Sequence, residues 1–407
     1  MPRPGPSTQI CGRRWPIRAN DSSSEGGTRV YGVRTAEQQE LAATVRKLLQ
    51  DRASEADLRR TMESQEGVDK ELARVMAEQI GLHGLAIPEE YGGIGAGFVD
   101  LCVVLEEMGR ALLCGPFFSS VVLFAGALME ARDVDACREW LPGIATGQTV
   151  GTLAVTEDRE GWSENSIQLA AQSHADGYRL TGRKRHVLDG VTADVLVVAA
   201  RLPDGVGLFL VDGGTVQRTP ENVLDPTRRQ ATVEFDHTPA RLLVGADEGW
   251  AVLRRVLDRA AVALAAEQVG GAECVLEMAV DYASTRHQFG RPIGSFQAVK
   301  HKCADMLVAV EAARSAARFA ADAIDADDPD KDMLAALAKS VCSTAYSTCA
   351  TENIQIHGGI GFTWEHPAQL FYKRAKSSEV QFGSPAHHRS VLARRVPELS
   401  GNGRLVS

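Results

Sequence analysis

Hydrophobic positions recur at helical spacing from residue 35 onward. Thr35 and Gln38 are spaced as a capping box, and Leu41, Val45, Leu48 and Leu49 follow along one face. Helical patterning runs to about residue 148, broken at Gly84 to Gly97, where Pro88 and a cluster of glycines predict a loop. Leu101, Val104, Leu105 and Met108 mark the next helix. From Val150 to Val244 the period changes. Short alternating or β-branched runs, among them VGTLAVT, ADVLVVAARL and QATVEFDH, are punctuated by Gly, Asp and Pro, as in an antiparallel barrel or sandwich. From Trp250 the helical period returns. Arg254 to Tyr282 reads as one long helix, and Met333 to Gln355 as another. Between them Phe296, Val299, Cys303, Met306, Leu307 and Val310 form one apolar stripe, with Phe296 read as core.

Blocks of helix, strand and helix predict an α+β fold rather than alternating βαβ units. The expected divisions are a disordered extension over 1–34, an N-terminal helical domain over 35–148, a central β domain over 149–246 and a C-terminal helical bundle over 247–400. No Gly-x-Gly-x-x-Gly follows a strand, so a Rossmann nucleotide site has no support.

Composition narrows the function classes. A net charge of -9 argues against nucleic acid or an anionic membrane as partner. No apolar run approaches the roughly 20 residues of a membrane span. The eight cysteines are scattered, with no Cys-x-x-Cys pair and no zinc spacing, which points to a reducing cytoplasm rather than a disulfide-stapled exterior. Residues 1–34 are rich in Pro, Gly, Ser and Arg and lack an apolar stretch, so disorder is expected there. His301, His357 and His366 are read as structural.

Two segments carry specific chemistry. In RHQFGRPIGSFQAVKHKCADM, Arg286 to Met306, Arg286 offers a planar fork for phosphate oxygens and Gly290 and Pro292 turn the chain after it. Phe289 is a flat apolar wall, and Gln297 donates and accepts. In IQIHGGIGFTWEHP, Ile354 to Pro367, Gly358 and Gly359 let backbone N–H groups approach an anion closely. With LAIPEEYGG (Leu85 to Gly93), AVTE (Ala154 to Glu157) and GRKRHVLDG (Gly182 to Gly190) in the same order, the chain resembles the acyl-CoA dehydrogenase family from Thr35 to Arg395.

The resemblance implies an N-terminal helical domain, a central β-barrel or sandwich, a C-terminal four-helix bundle and a dimer of dimers that binds FAD. Arg286, Phe289 and Gln297 would grip the FAD of a neighbouring subunit, and Gln355, Gly358 and Gly359 would touch its adenosine half. Thr156 and Ser384 would sit beside the flavin. An acyl-CoA would be the substrate and electron-transfer flavoprotein or a similar protein the acceptor.

The family reaction needs a carboxylate to take the proton next to the thioester. Members supply it from a Tyr-Glu-Gly-Thr loop or from a Leu-Asp-x-Glu-Arg helix. Here these positions read Gln381-Phe382-Gly383-Ser384 and Leu257-Asp258-Arg259-Ala260-Ala261, so Phe382 and Ala260 stand where the base belongs. No catalytic residue is assigned; Asp258 and Glu379 are the nearest acids. His186-Val187-Leu188 also replaces the usual Trp-Ile-Thr or Trp-Ile-Ser. The pattern is similar to base-lacking subunits of actinobacterial steroid and cholesterol breakdown, which act with a glutamate-bearing homologue. The alternatives are a competent homo-oligomer with an unrecognised base and a flavin monooxygenase of the same fold.

Overall fold

A computed structural model describes residues 32–158 and 161–401. The extension expected over 1–34 lies outside the described residues apart from its last three. Helix α1 (Ala36–Arg52) opens on the predicted capping box: the Thr35 hydroxyl accepts from the Gln38 N–H at 3.2 Å, and the Gln38 carbonyl oxygen accepts from the Thr35 N–H at 3.1 Å. Helices α2 (Glu55–Glu63), α3 (Lys70–Arg74), α4 (Phe98–Arg110), α5 (Ala125–Ala131) and α6 (Val134–Ala145) complete this region. Arg34 and Arg46 pair with the buried Glu106 and Glu107 of α4, both at 2.7 Å, and so tie the entering chain and α1 to α4.

The strands β1 (Gly151–Ala154), β2 (Ala170–His174), β3 (Gly177–Leu188), β4 (Val195–Leu202), β5 (Gly205–Asp212), β6 (Gln217–Pro220) and β7 (Gln230–Val244) form one sheet. It closes on itself through β4–β5–β7–β3–β2, where a single bridge from Ala170 to Arg201 joins β2 back to β4. The antiparallel expectation needs correcting at two places, since β1 and β2 both run parallel to β4. The β2–β3 hairpin lies between β1 and β4 in the chain, and its excursion returns β4 in the direction of β1. Leu180, Val198, Phe209 and Val233 fill the barrel interior.

The C-terminal region is built on α7 (Gly249–Thr285), which ends in a small hairpin, β8 (His287–Gln288) and β9 (Arg291–Pro292). Helices α8 (Gln297–Asp325), α9 (Lys331–His357), α10 (Ala368–Val380) and α11 (Pro385–Gly401) follow. Between Ala260 and Ala272, α7 is buried on every side, with small residues that let α4 cross close by. A Cβ on Gly270 would lie 1.7 Å from the Glu106 carbonyl oxygen, and one on Gly109 2.0 Å from that of Glu267. No larger residue fits at either point of that crossing.

The stripe on α8 shifts from its predicted place. Met306, Val310, Ala313, Ala317 and Ala320 are the buried positions, at spacings of three and four. Leu307 falls off that face and is half exposed. Phe296 is not core either: it precedes the first turn of α8, half-buried beneath the Arg291 guanidinium 4.1 Å from its ring centroid.

Candidate functional site

A cleft of about 1010 Å³ opens between the barrel and the α10–α11 loop. Thr156, Trp162, His186, Leu188, Glu221, Gln381, Phe382, Ser384 and His387 are among its lining residues. Thr156 sits just beyond β1, on a segment held from below. The fully buried Lys184 of β3 donates to the Val155 carbonyl at 2.9 Å and to Glu157 at 2.6 Å. Glu157 also accepts from the Gln168 and Leu169 N–H groups at 3.0 Å, and the Arg185 N–H reaches the Thr156 carbonyl at 2.8 Å. Burial pushes the Lys184 pKa down to about 8, and the Glu157 carboxylate opposes that fall.

The opposite wall is the loop Gln381 to Ser384. Phe382 has a left-handed backbone, φ 56°, and its ring stacks on Phe118 at 5.9 Å and meets Trp162 edge-on at 6.1 Å. The Arg228 guanidinium lies over the Phe118 ring, 5.2 Å from its centroid. Arg228 also donates to the Gln381 carbonyl oxygen of the side chain at 3.0 Å, while the buried Gln381 amide nitrogen has no partner among the described residues. Ser384 heads α11, its hydroxyl accepting from the His387 N–H at 3.2 Å. The loop therefore presents an aromatic ring, not a carboxylate.

Among the described residues lining the cleft, Glu221 is the one acid. Ala260 and Ala261 are buried within α7, at 0% and 1% exposure. Asp258 does not line the cleft; it faces Arg254, Lys331 and Asp332, and burial, with the Asp332 charge, pushes its pKa up to about 7. Glu379 is also absent from the lining and accepts from Ser347 at 2.8 Å and Lys376 at 3.0 Å. Glu221 does line the cleft, but it is committed. Burial would raise its pKa, yet hydrogen bonds from Arg185 at 2.9 Å, Thr232 at 2.7 Å and the His186 N–H at 3.2 Å outweigh that and bring it down to about 2. Its other oxygen lies 2.5 Å from His186 Nδ1.

Beneath the cleft runs a buried ionic network that the sequence does not announce. Arg374 of α10 donates to Asp225 at 2.8 Å, to the Thr227 hydroxyl at 2.6 Å and to Glu267 of α7 at 2.9 Å. Glu267 also pairs with Arg228, so one chain of contacts joins α7, α10, the β6–β7 connection and Gln381. The one sequence signal is Glu267 itself, a charge inside the apolar run Val262 to Ala272.

A second locus lies at the far ends of α7 and α9. None of Arg286, Phe289, Gln297, Gln355, Gly358 and Gly359 lines the cleft. All six are exposed. Tyr282, one turn before Arg286, stacks at 4.2 Å on His357, which immediately precedes the glycine turn after α9. His357 donates from Nδ1 to the Asn353 carbonyl at 2.9 Å, and His366 Nδ1 accepts from the Ala368 N–H at 3.2 Å. The β8–β9 turn has Phe289 at φ 54° and Gly290 at φ 78°, as a two-residue hairpin requires. Phe289 is 90% exposed at its tip. The side chain of Arg286 pairs with no described residue, and a Cβ added to Gly358 or Gly359 would meet nothing within 4 Å. A fork of donors, two open glycines and an aromatic wall, all exposed, are the groups that suit an extended anionic dinucleotide.

Residues 35–148 match the acyl-CoA dehydrogenase N-terminal domain and residues 247–396 the acyl-CoA dehydrogenase C-terminal domain. The chain belongs to the acyl-CoA dehydrogenase family, whose members are flavoproteins with FAD as cofactor. It is 37% identical over 363 residues to acyl-CoA dehydrogenase IpdE2 of Mycobacterium tuberculosis, covering 89% of this chain and 97% of that one. Its fold is similar to a chain of the ChsE4-ChsE5 complex from Mycobacterium tuberculosis, with a TM-score of 0.83, 29% identity, and coverage of 91% of this chain and 99% of that one. It is also similar to a variant of the Tcur3481-Tcur3483 steroid ACAD, with a TM-score of 0.82, 32% identity, and coverage of 90% and 99%. The expected α+β architecture is thereby met. Among the described residues no helix is long and apolar enough to cross a membrane.

Proposed function

We propose that this chain is the base-lacking subunit of a heteromeric FAD-dependent acyl-CoA dehydrogenase whose homologous partner carries the catalytic glutamate. The observation that carries this reading is the pairing of an aromatic loop with an open grip. Phe382 and Ala260 stand where a carboxylate would act, and Phe382 is packed against Phe118 and Trp162. Arg286, Phe289, Gln297, Gln355, Gly358 and Gly359 meanwhile face outward, free for a neighbour.

In this reading Arg286 offers its fork to the pyrophosphate, Gln297 to the adjoining ribose or phosphate, and Phe289 closes the apolar side. Gln355 with the Gly358 and Gly359 backbone borders the adenosine half. Thr156 and Ser384 line this chain's own cleft, the counterpart that this reading leaves without its own flavin. FAD supplies the two-electron acceptor for α,β-desaturation of a thioester. This chain completes and shields the site while the partner's glutamate takes the α-proton. The kinship with a two-protein complex and with a steroid ACAD supports both the heteromer and a steroid-derived acyl group.

The test is dye reduction by an acyl-CoA. The purified chain alone should show no turnover, and co-expression with a glutamate-bearing homologue should yield a yellow, active complex. Turnover by the isolated chain would defeat the proposal.

A further inference from the structure

The loop that forms the Phe382 wall is held from behind by a residue outside the cleft. Lys339 lies in the first third of α9 and is fully buried, at 0% exposure. Its Nζ has four oxygens around it: Ser343 Oγ at 2.9 Å, the Ser378 carbonyl at 2.9 Å, and the Glu379 and Gly383 carbonyls at 3.3 Å. The first two carbonyls belong to the last turn of α10, where helix carbonyls have no intrahelical donor. The third belongs to the loop on the other side of Phe382. One ammonium thus bridges the segment across the residue it holds out.

Two further donors serve the same loop. His388 Nε2 donates to the Phe382 carbonyl at 3.0 Å, and Arg228 holds the Gln381 side chain. Phe382 and Gly383 both have left-handed backbones, at φ 56° and 106°. A non-glycine residue held there needs its surroundings to over-determine it. Ser343 is itself placed by Gln268 of α7 at 3.0 Å, so the ammonium is anchored to the central helix.

We infer that Lys339 is a positioning residue whose ammonium sets the Gln381 to Ser384 loop, and with it the Phe382 wall of the cleft. This role is independent of which subunit supplies the base. A buried cation is costly to desolvate, and the oxygens that surround this one offset that cost only in this geometry. The four acceptors call for a donor-rich head, and an apolar side chain of equal length would take a donor away from the Ser378, Glu379 and Gly383 carbonyls.

The test is hydrogen exchange on the full chain, comparing wild type with Lys339→Met at pH 6. That pH is below the value of about 7 to which burial pushes the Lys339 pKa, so the amine carries all three N–H donors. Peptides spanning 380–389 should exchange at least about tenfold faster in the variant, while peptides from the centre of α7 stay within about twofold. The near-ultraviolet circular dichroism of the Phe118, Trp162 and Phe382 cluster should weaken in parallel. Unchanged exchange over 380–389 would overturn the inference. So would a uniform rise across all helices, which marks general core packing. If Lys339→Met does not fold, Ser343→Ala removes one of the four acceptors. It should give a smaller rise confined to the same peptides, and no rise there overturns the inference equally.

Discussion

Arg374 is the residue on which the buried charges balance. It meets Asp225 and Glu267 at 2% exposure, and neither carboxylate can reach water if it is lost. Arg374→Met should therefore cost about 3–5 kcal/mol, the cost of leaving buried charge uncompensated, measured by urea denaturation. Asp258 makes the opposite case. Its folded pKa of about 7 lies above the ordinary value of about 3.9, so the fold prefers the neutral form. Its contribution is full below about pH 3.9 and is lost as pH rises through about 7. Asp258→Asn should accordingly raise the thermal midpoint at pH 8 and change it little at pH 4. Neither residue was legible as buried. A charge in a sequence reads as solvated unless it lies in a long apolar stretch, as Glu267 does within Val262 to Ala272, interrupted otherwise only by Gln268; Arg374 and Asp225 have no such setting.

At the scale of elements, the pattern located the helices and strands far better than it located their contacts. The Thr35 capping box and the long α7 and α9 were readable because their signals are local. The parallel pairing of β1 with β4 was not, because strand direction depends on a connection about forty residues long. Phe296 misled because periodicity continues through a residue that precedes the helix. The β8–β9 hairpin carries the sharpest element-scale prediction. Phe289→Asp should leave the chain folded, since the ring is 90% exposed, and shift the complex toward smaller species in sedimentation velocity. Arg286→Ala should weaken FAD binding to the complex by about tenfold or more, the worth of a charge-assisted pair, read by fluorescence titration.

In the proposed function the molecule as a whole separates two tasks that the family reaction joins. Its outward surface at the ends of α7 and α9 has the donors and open glycines of a dinucleotide grip, and its own cleft ends in an aromatic wall clamped by Lys339, His388 and Arg228. The candidate grip was legible in sequence because its residues lie in two short segments. The cleft was legible at Thr156, His186, Leu188 and the Gln381 to Ser384 loop, but not at Glu221 and His387, which join it from outside the segments that carry the resemblance. Under the proposed function such a subunit completes a neighbour's site rather than its own. The most direct measurement is FAD per polypeptide, from flavin absorbance and total protein, in the purified complex with a glutamate-bearing homologue. The account predicts one FAD for every two chains; one FAD for every chain would contradict it.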